Sequence, residues 1–123
     1  MFKPYHFIGL ELGASIACVA LRREPTGAPR EFRGDVAAVA KRDLAPGATL
    51  DGEGGYTVYG KLIPARASLT LGALPIGLSH GARVVRSVAA GEIVRWDDCS
   101  LDEGSLAVGV RREMEAMFRN GSE

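Results

Sequence analysis

The sequence predicts a mainly β domain of two related strand-turn-strand halves, with one helix before it and one after. Three observations carry that expectation. From Val36 onward, short aliphatic and β-branched runs are broken by Gly, Pro and Asp, the texture of short strands joined by tight turns. A nine-residue string recurs: Arg42-Asp43-Leu44-Ala45-Pro46-Gly47-Ala48-Thr49-Leu50 aligns with Arg86-Ser87-Val88-Ala89-Ala90-Gly91-Glu92-Ile93-Val94 at an offset of 44 residues. Both ends of the chain have helical periodicity instead.

Taken in order, the apolar run that begins at Phe7 predicts a helix from about Gly9 to Arg23, stopped by Pro25, Gly27 and Pro29. Leu12, Ile16, Val19 and Ala20 fall on one face, and Gly9 and Gly13 allow close packing. The segment is apolar nearly all round, so burial on several sides is expected. Each repeat then reads as a strand entering, a turn at Ala-Pro-Gly or Ala-Ala-Gly, and a second apolar pair. Gly47 and Gly91 stand where a turn needs positive φ. Gly60 and Gly104 keep the same offset, extending the expected repeat. Two halves are too few for a solenoid, so a closed unit with an approximate twofold axis is expected. From Ser105 to Arg119 the spacing predicts a helix ended by Asn120-Gly121, with Leu106, Val110, Met114, Met117 and Phe118 as its buried stripe. Arg111 with Glu115, and Glu115 with Arg119, are placed to form surface pairs. The expected organisation is thus 1–34, 35–104 and 105–123.

Composition narrows the function. In 123 residues, 15 Lys+Arg balance 15 Asp+Glu, which gives no long-range field toward nucleic acid or anionic membrane. Cys18 and Cys99 lie far apart without CxxC or Cys/His spacing, so neither a disulfide framework nor a metal site is expected. The run FIGLELGASIACVAL resembles a secretion signal, but Glu11 interrupts it, Ser15 stands where a lipobox has Leu, and Arg22-Arg23-Glu24 follow at once. It is also too short to cross a bilayer.

Few residues carry chemistry. Asp51-Gly52-Glu53-Gly54-Gly55-Tyr56-Thr57 is the nearest approach to a dinucleotide fingerprint, yet Thr57 replaces a glycine and no helix follows, so a turn is expected and no cofactor-binding residue is assigned. Tyr59, Lys61 and Arg66 are candidate substrate-binding residues: a phenol and two cations in one short stretch can clamp an anionic group, against the plainer reading of a strand's solvent face. His6, just before the first helix, is the candidate catalytic residue, able to exchange a proton near neutral pH or simply to cap the helix. Adjacent Asp97 and Asp98 diverge on any regular backbone and read as turn and cap residues. His80 is a lone loop histidine, and no Ser/His/Asp constellation is apparent.

The strings VAKRDLAPGATL and VVRSVAAGEIVRWDDC resemble the two halves of a SAF domain, from about Asp35 to Gly104. That resemblance implies the antifreeze-like β-clip fold shared by sialic acid synthases, type III antifreeze proteins, flagellar P-ring assembly chaperones and altronate dehydratases. The wider frame, KPYHFIGLELGASIACVALRREPTGAPREFRGDVAAVAKRDLAPGATLDGEGGYTVYGKLIPAR, resembles the C-terminal part of bacterial homoserine-dehydrogenase-like NAD(P)-dependent oxidoreductases. It implies that residues 1–34 are the tail of a catalytic region, that Met1 is an artificial start or a truncated reading frame, and that Lys3-Pro4-Tyr5-His6 faces the catalytic cleft. It further implies a cytoplasmic enzyme moving hydride between nicotinamide and a small carbonyl or alcohol: homoserine, aspartate semialdehyde or a sugar phosphate such as deoxyxylulose phosphate. NAD(P) belongs to the full-length enzyme, and the expected partner is its Rossmann or catalytic domain or a second subunit, with self-association a further expectation. The same module in other hands gives two alternatives, a periplasmic flagellar or pilus assembly chaperone and a small altronate-type dehydratase subunit.

Overall fold

A computed structural model describes residues 7–120. The chain forms two compact units, Met1–Glu31 and Phe32–Glu123.

In the first unit, helix α1 (Ile8–Ala17) runs straight into a π-helical turn, Cys18–Arg22. The helix ends where Arg23 takes a left-handed conformation at φ 57°, ahead of the prolines that were expected to stop it. Among the described residues nothing covers its apolar faces. Ile8, Leu12, Ile16, Val19 and Leu21 each expose more than half of their surface, and a Cβ at Gly9 or Gly13 would meet nothing. Among the described residues this unit has no second layer to cover an all-round apolar helix. Among the described residues no helix is long and apolar enough to cross a membrane.

The second unit is built around strand β1 (Gly34–Ala40). It pairs antiparallel with β2 (Val58–Pro64), from Gly34 opposite Pro64 to Ala40 opposite Val58. On its other edge, Ala38 N–H donates to Leu74 O at 2.8 Å and Ala40 N–H to Glu92 O at 2.9 Å. Covered on both sides, Ala37 through Ala40 are almost wholly buried, and the alanine-rich sequence is what lets other backbone approach so closely. Helix α2 (Ala65–Leu71) follows β2 directly and is closed by Gly72 at φ +63°. Two short strands, β3 (Arg83–Val84) and β4 (Cys99–Ser100), pair antiparallel, and α3 (Leu106–Asn120) completes the unit.

The repeat is visible as reciprocal hydrogen bonding. Leu44 N–H donates to Val88 O at 2.8 Å and Val88 N–H returns the bond to Leu44 O at 3.0 Å. Gly47 N–H reaches Val84 O at 2.7 Å, while Gly91 N–H reaches Ala40 O at 2.8 Å. Leu50 bonds Ala82 as Val94 bonds Ala38, and the bridges Thr49–Arg83 and Val39–Ile93 are equivalent in the same sense. These bonds from one half to the other each have a mate under the 44-residue shift, as do Ala40 to Glu92 and Val84 to Ala48, the mark of an exchange about a twofold axis near Leu44 and Val88. Gly47 and Gly91 have φ of +92° and +85°, as their place in the turns requires. The equivalent pairs Ala38/Ala82, Ala40/Val84, Leu44/Val88 and Leu50/Val94 are all buried in one apolar core with Val58, Leu74, Trp96 and Val108.

Three expectations are corrected here. The unit has mixed helix and strand content rather than being mainly β: its two sheets have two strands each, and much of the pairing is through isolated bridges, because turns at Pro46-Gly47 and Ala90-Gly91 interrupt any longer ladder. The repeat does not extend to Gly60 and Gly104: Gly60 lies within β2 opposite Ala38, whereas Gly104 precedes α3 in a turn closed by the Asp102 carboxylate. The apolar stripe on α3 is also misplaced. Val108, Arg111, Met114, Glu115 and Phe118 face inward, while Leu106, Val110 and Met117 are exposed, because a buried ionic network sets the helix's rotation.

Candidate functional site

That network begins at Asp35, which sits in β1 and is 7% exposed. Its carboxylate accepts bonds from Arg111 Nη2 at 2.5 Å and Nη1 at 3.1 Å, from the Ser68 hydroxyl of α2 at 2.5 Å, and from Val36 N–H at 3.0 Å. Burial alone would raise this carboxyl. The hydrogen bonds from Arg111 and Ser68, with the guanidinium's charge, outweigh burial and hold it below its ordinary value of 3.8. Arg111 also donates through Nε to Glu115 at 2.8 Å and lies 5.2 Å from the centre of the Phe32 ring. Burial opposes its charge, and the bonds to the two carboxylates more than restore it, raising it above the ordinary arginine value. Glu115 is 3% exposed, so both pairs expected on α3 have the expected partners, but Arg111–Glu115 lies inside the fold while Arg119 stays exposed.

Glu115 in turn holds two further groups, the buried Trp96 ring and the exposed Arg119. Its Oε1 accepts the Trp96 Nε1–H at 3.1 Å, and its Oε2 lies 3.4 Å from Arg119 Nη2. Arg112 stacks on the outer face of the Trp96 ring with its guanidinium carbon 3.7 Å from the centroid. Over this platform lie two adjoining concavities of about 320 and 250 Å³ that share Leu69, Thr70 and Arg119. Arg95, Arg112 and Trp96 line the first, and Arg66 and Phe118 the second.

Of the residues singled out in sequence, Arg66 therefore lies on this groove. Tyr59 and Lys61 occupy alternate positions of β2, opposite Val39 and Ala37, and so share one face of the sheet. No hydrogen bond or ion pair joins Tyr59, Lys61 and Arg66 to one another among the described residues. His6 lies outside the described residues. Arg95, Arg112 and Arg119 escaped the sequence reading. Only the fold brings the Trp96 turn and the last two turns of α3 to α2, and the one legible hint was the helical spacing of Arg112 and Arg119.

The Gly-rich string is a turn that closes on itself. The Asp51 carboxylate accepts Tyr56 N–H at 2.5 Å, Thr57 N–H at 3.0 Å and the Thr57 hydroxyl. The Thr57 hydroxyl and the Tyr56 amide pull the carboxyl down to about 2. The amides that a phosphate would use are thus taken by the chain's own anion. Gly55 is indispensable to this closure, since a Cβ there would fall 2.2 Å from Asp51 Cγ. His80 Nδ1 donates to Asp51 O at 3.1 Å, which satisfies one ring nitrogen. The ring lines a cavity of about 410 Å³ with Asp102 and Ser105, but no side-chain hydrogen bond couples the three among the described residues. Asp98 caps its own turn through Arg95 N–H at 2.9 Å, and Asp97 is exposed, as expected of turn and cap residues. Both cysteines are free thiols.

The family model of the SAF domain matches residues 35–99, just over half of the chain. The match opens at Asp35, the anchor of the ionic network, and closes at Cys99 in β4. No curated protein matches the chain.

Proposed function

Because this chain belongs to the SAF domain family, we propose that it is the C-terminal accessory portion of an NAD(P)-dependent, homoserine-dehydrogenase-like oxidoreductase. Its role there is structural and substrate-shaping. The observation that carries this reading is the open apolar helix of the first unit, together with the string around it that resembles the end of such catalytic regions. Five large apolar side chains stand exposed on α1 and its π turn. Covering each is worth about 1.5–3 kcal/mol, so the segment is stabilised when a catalytic domain packs over it. The reciprocal bonding of the two halves is what a β-clip requires, and we read the second unit as one.

A nicotinamide dinucleotide does not fit the residues at hand, because the one Gly-rich turn has its amides engaged by Asp51. We assign cofactor and hydride transfer to the catalytic partner, in the cytoplasm. On this reading His6 reaches the partner's cleft, and Tyr59, Lys61 and Arg66 face the substrate side. The test has two arms. The chain alone, given NADPH and aspartate semialdehyde, leaves the NADPH unoxidised, and the genomic reading frame before Met1, or an adjacent gene, encodes a strand, G-x-G-x-x-G and helix. NADPH oxidation by the chain alone, or a frame and neighbourhood with no dinucleotide-binding unit, overturns the proposal.

A further inference from the structure

We infer that the arginine-lined groove over Trp96 is a binding site for a phosphoryl dianion. Four arginines from three separate segments line it and its neighbour: Arg95 before the Trp96 turn with Arg112 and Arg119 of α3 around the first concavity, and Arg66 at the start of α2 with Arg119 around the second. Among the described residues Arg66, Arg95 and Arg112 are paired with no carboxylate. The one acidic residue in the lining, Asp97, has its side chain 82% exposed and lies 4.0 Å from Arg86, which is not part of the lining. A chain of zero net charge therefore concentrates positive charge along two adjoining concavities.

Two of the cations are held in place before any ligand arrives. Stacking on Trp96 fixes the plane of Arg112 and leaves its N–H edge free to donate, and the buried Glu115 holds both the Trp96 ring and Arg119. Pre-ordering of this kind removes side-chain entropy from the cost of binding. The number of forks selects the ligand. A single arginine satisfies both oxygens of a carboxylate, whereas the three oxygens of a phosphoryl group accept from several guanidiniums at once. The Trp96 ring, Leu69 and Phe118 supply apolar wall, and the volumes, about 320 and 250 Å³, suit a small body only. The inference does not depend on the oxidoreductase reading, and its test measures binding rather than turnover.

The full chain is titrated by calorimetry, in a phosphate-free buffer of fixed low ionic strength, with inorganic phosphate, glycerol 3-phosphate and acetate. Both phosphoryl compounds bind, and acetate binds about tenfold more weakly or not at all. Arg112→Ala and Arg66→Gln each weaken phosphoryl binding by about tenfold, while Arg30→Ala in the N-terminal unit leaves it unchanged. Because Arg112 also packs on Trp96, Arg66→Gln on the exposed side of α2 keeps the test sound if Arg112→Ala fails to fold. Tighter binding of glycerol 3-phosphate identifies a small phosphorylated compound as the ligand, and equal binding identifies free phosphate. Absence of binding by both, acetate as strong as phosphate, or insensitivity to Arg66→Gln overturns the inference.

Discussion

Replacing Arg111 by leucine tests the account of what holds α3 against β1. The change removes two bonds to Asp35, at 2.5 and 3.1 Å, and one to Glu115 at 2.8 Å. Both carboxylates stay where they were, 7% and 4% exposed at the side chain. Stranding buried carboxylates costs about 3–5 kcal/mol. The lower end applies here, because Asp35 keeps the Ser68 hydroxyl and Val36 N–H, and Glu115 keeps Trp96 and Arg119. A loss of about 3 kcal/mol lowers the melting temperature of a unit this size by about 12–24 °C. Trp96, the sole tryptophan, bonds directly to the network, so urea denaturation followed by its fluorescence reports the loss. The pH dependence gives a second reading. In the native protein the Asp35 carboxyl is held below 3.8, so the folded state binds a proton less readily than the unfolded chain. The stabilisation is complete above the unfolded value and is lost as pH falls through the folded one. The difference between native protein and variant must therefore shrink with acid. A loss below about 1 kcal/mol, the worth of a surface pair, or a difference indifferent to acid, refutes the reasoning.

Further outcomes are expected. Leu44→Ala, at the crossing of the two halves where the side chain is 2% exposed, costs about 2–5 kcal/mol in urea denaturation. Gly47→Ala and Gly91→Ala each cost about 1–2 kcal/mol from backbone strain alone, and nearly equally, since neither Cβ would meet a neighbour and both φ angles are alike. In an NMR acid titration the Tyr56 and Thr57 amides follow a single group with its midpoint at about 2, the carboxyl of Asp51, and Asp51→Asn abolishes that step. Burial first, then the charge of Asp98, pushes the Cys99 thiol up to about 11. In mass-spectrometric labelling at pH 8, Cys99 therefore stays unmodified until the domain unfolds.

The repeat was legible because it rests on local chemistry: a turn that needs positive φ announces itself as glycine, and two such turns at one spacing reveal the halves. The long terminal helices were legible for a similar reason, through periodicity. What periodicity could not convey was which face turns inward. Leu106, Val110 and Met117 lose the interior to a face that combines Val108, Met114 and Phe118 with Arg111 and Glu115, and the ion pair that selects it is made with Asp35, 76 residues away. The same distance hid the groove. Arg66 was singled out for its neighbours in sequence, Tyr59 and Lys61, yet it meets Arg119 and Phe118 across α2 and α3. For α1 the apolar pattern was legible, and its side chains stand exposed within this chain, since burial depends on what else is present to pack.

The mutual bonding around Leu44 and Val88 has a consequence for ancestry and for dissection. A segment of half this length keeps its internal ladder, β1 with β2 or β3 with β4, but loses the bonds it exchanges with the other half, since Ala40 needs Glu92 and Val84 needs Ala48. Severed, each piece should lose the close packing around Leu44 and Val88 and regain it only on meeting its twin. A gene encoding one such piece would have made a protein that worked as a pair, later fused head to tail.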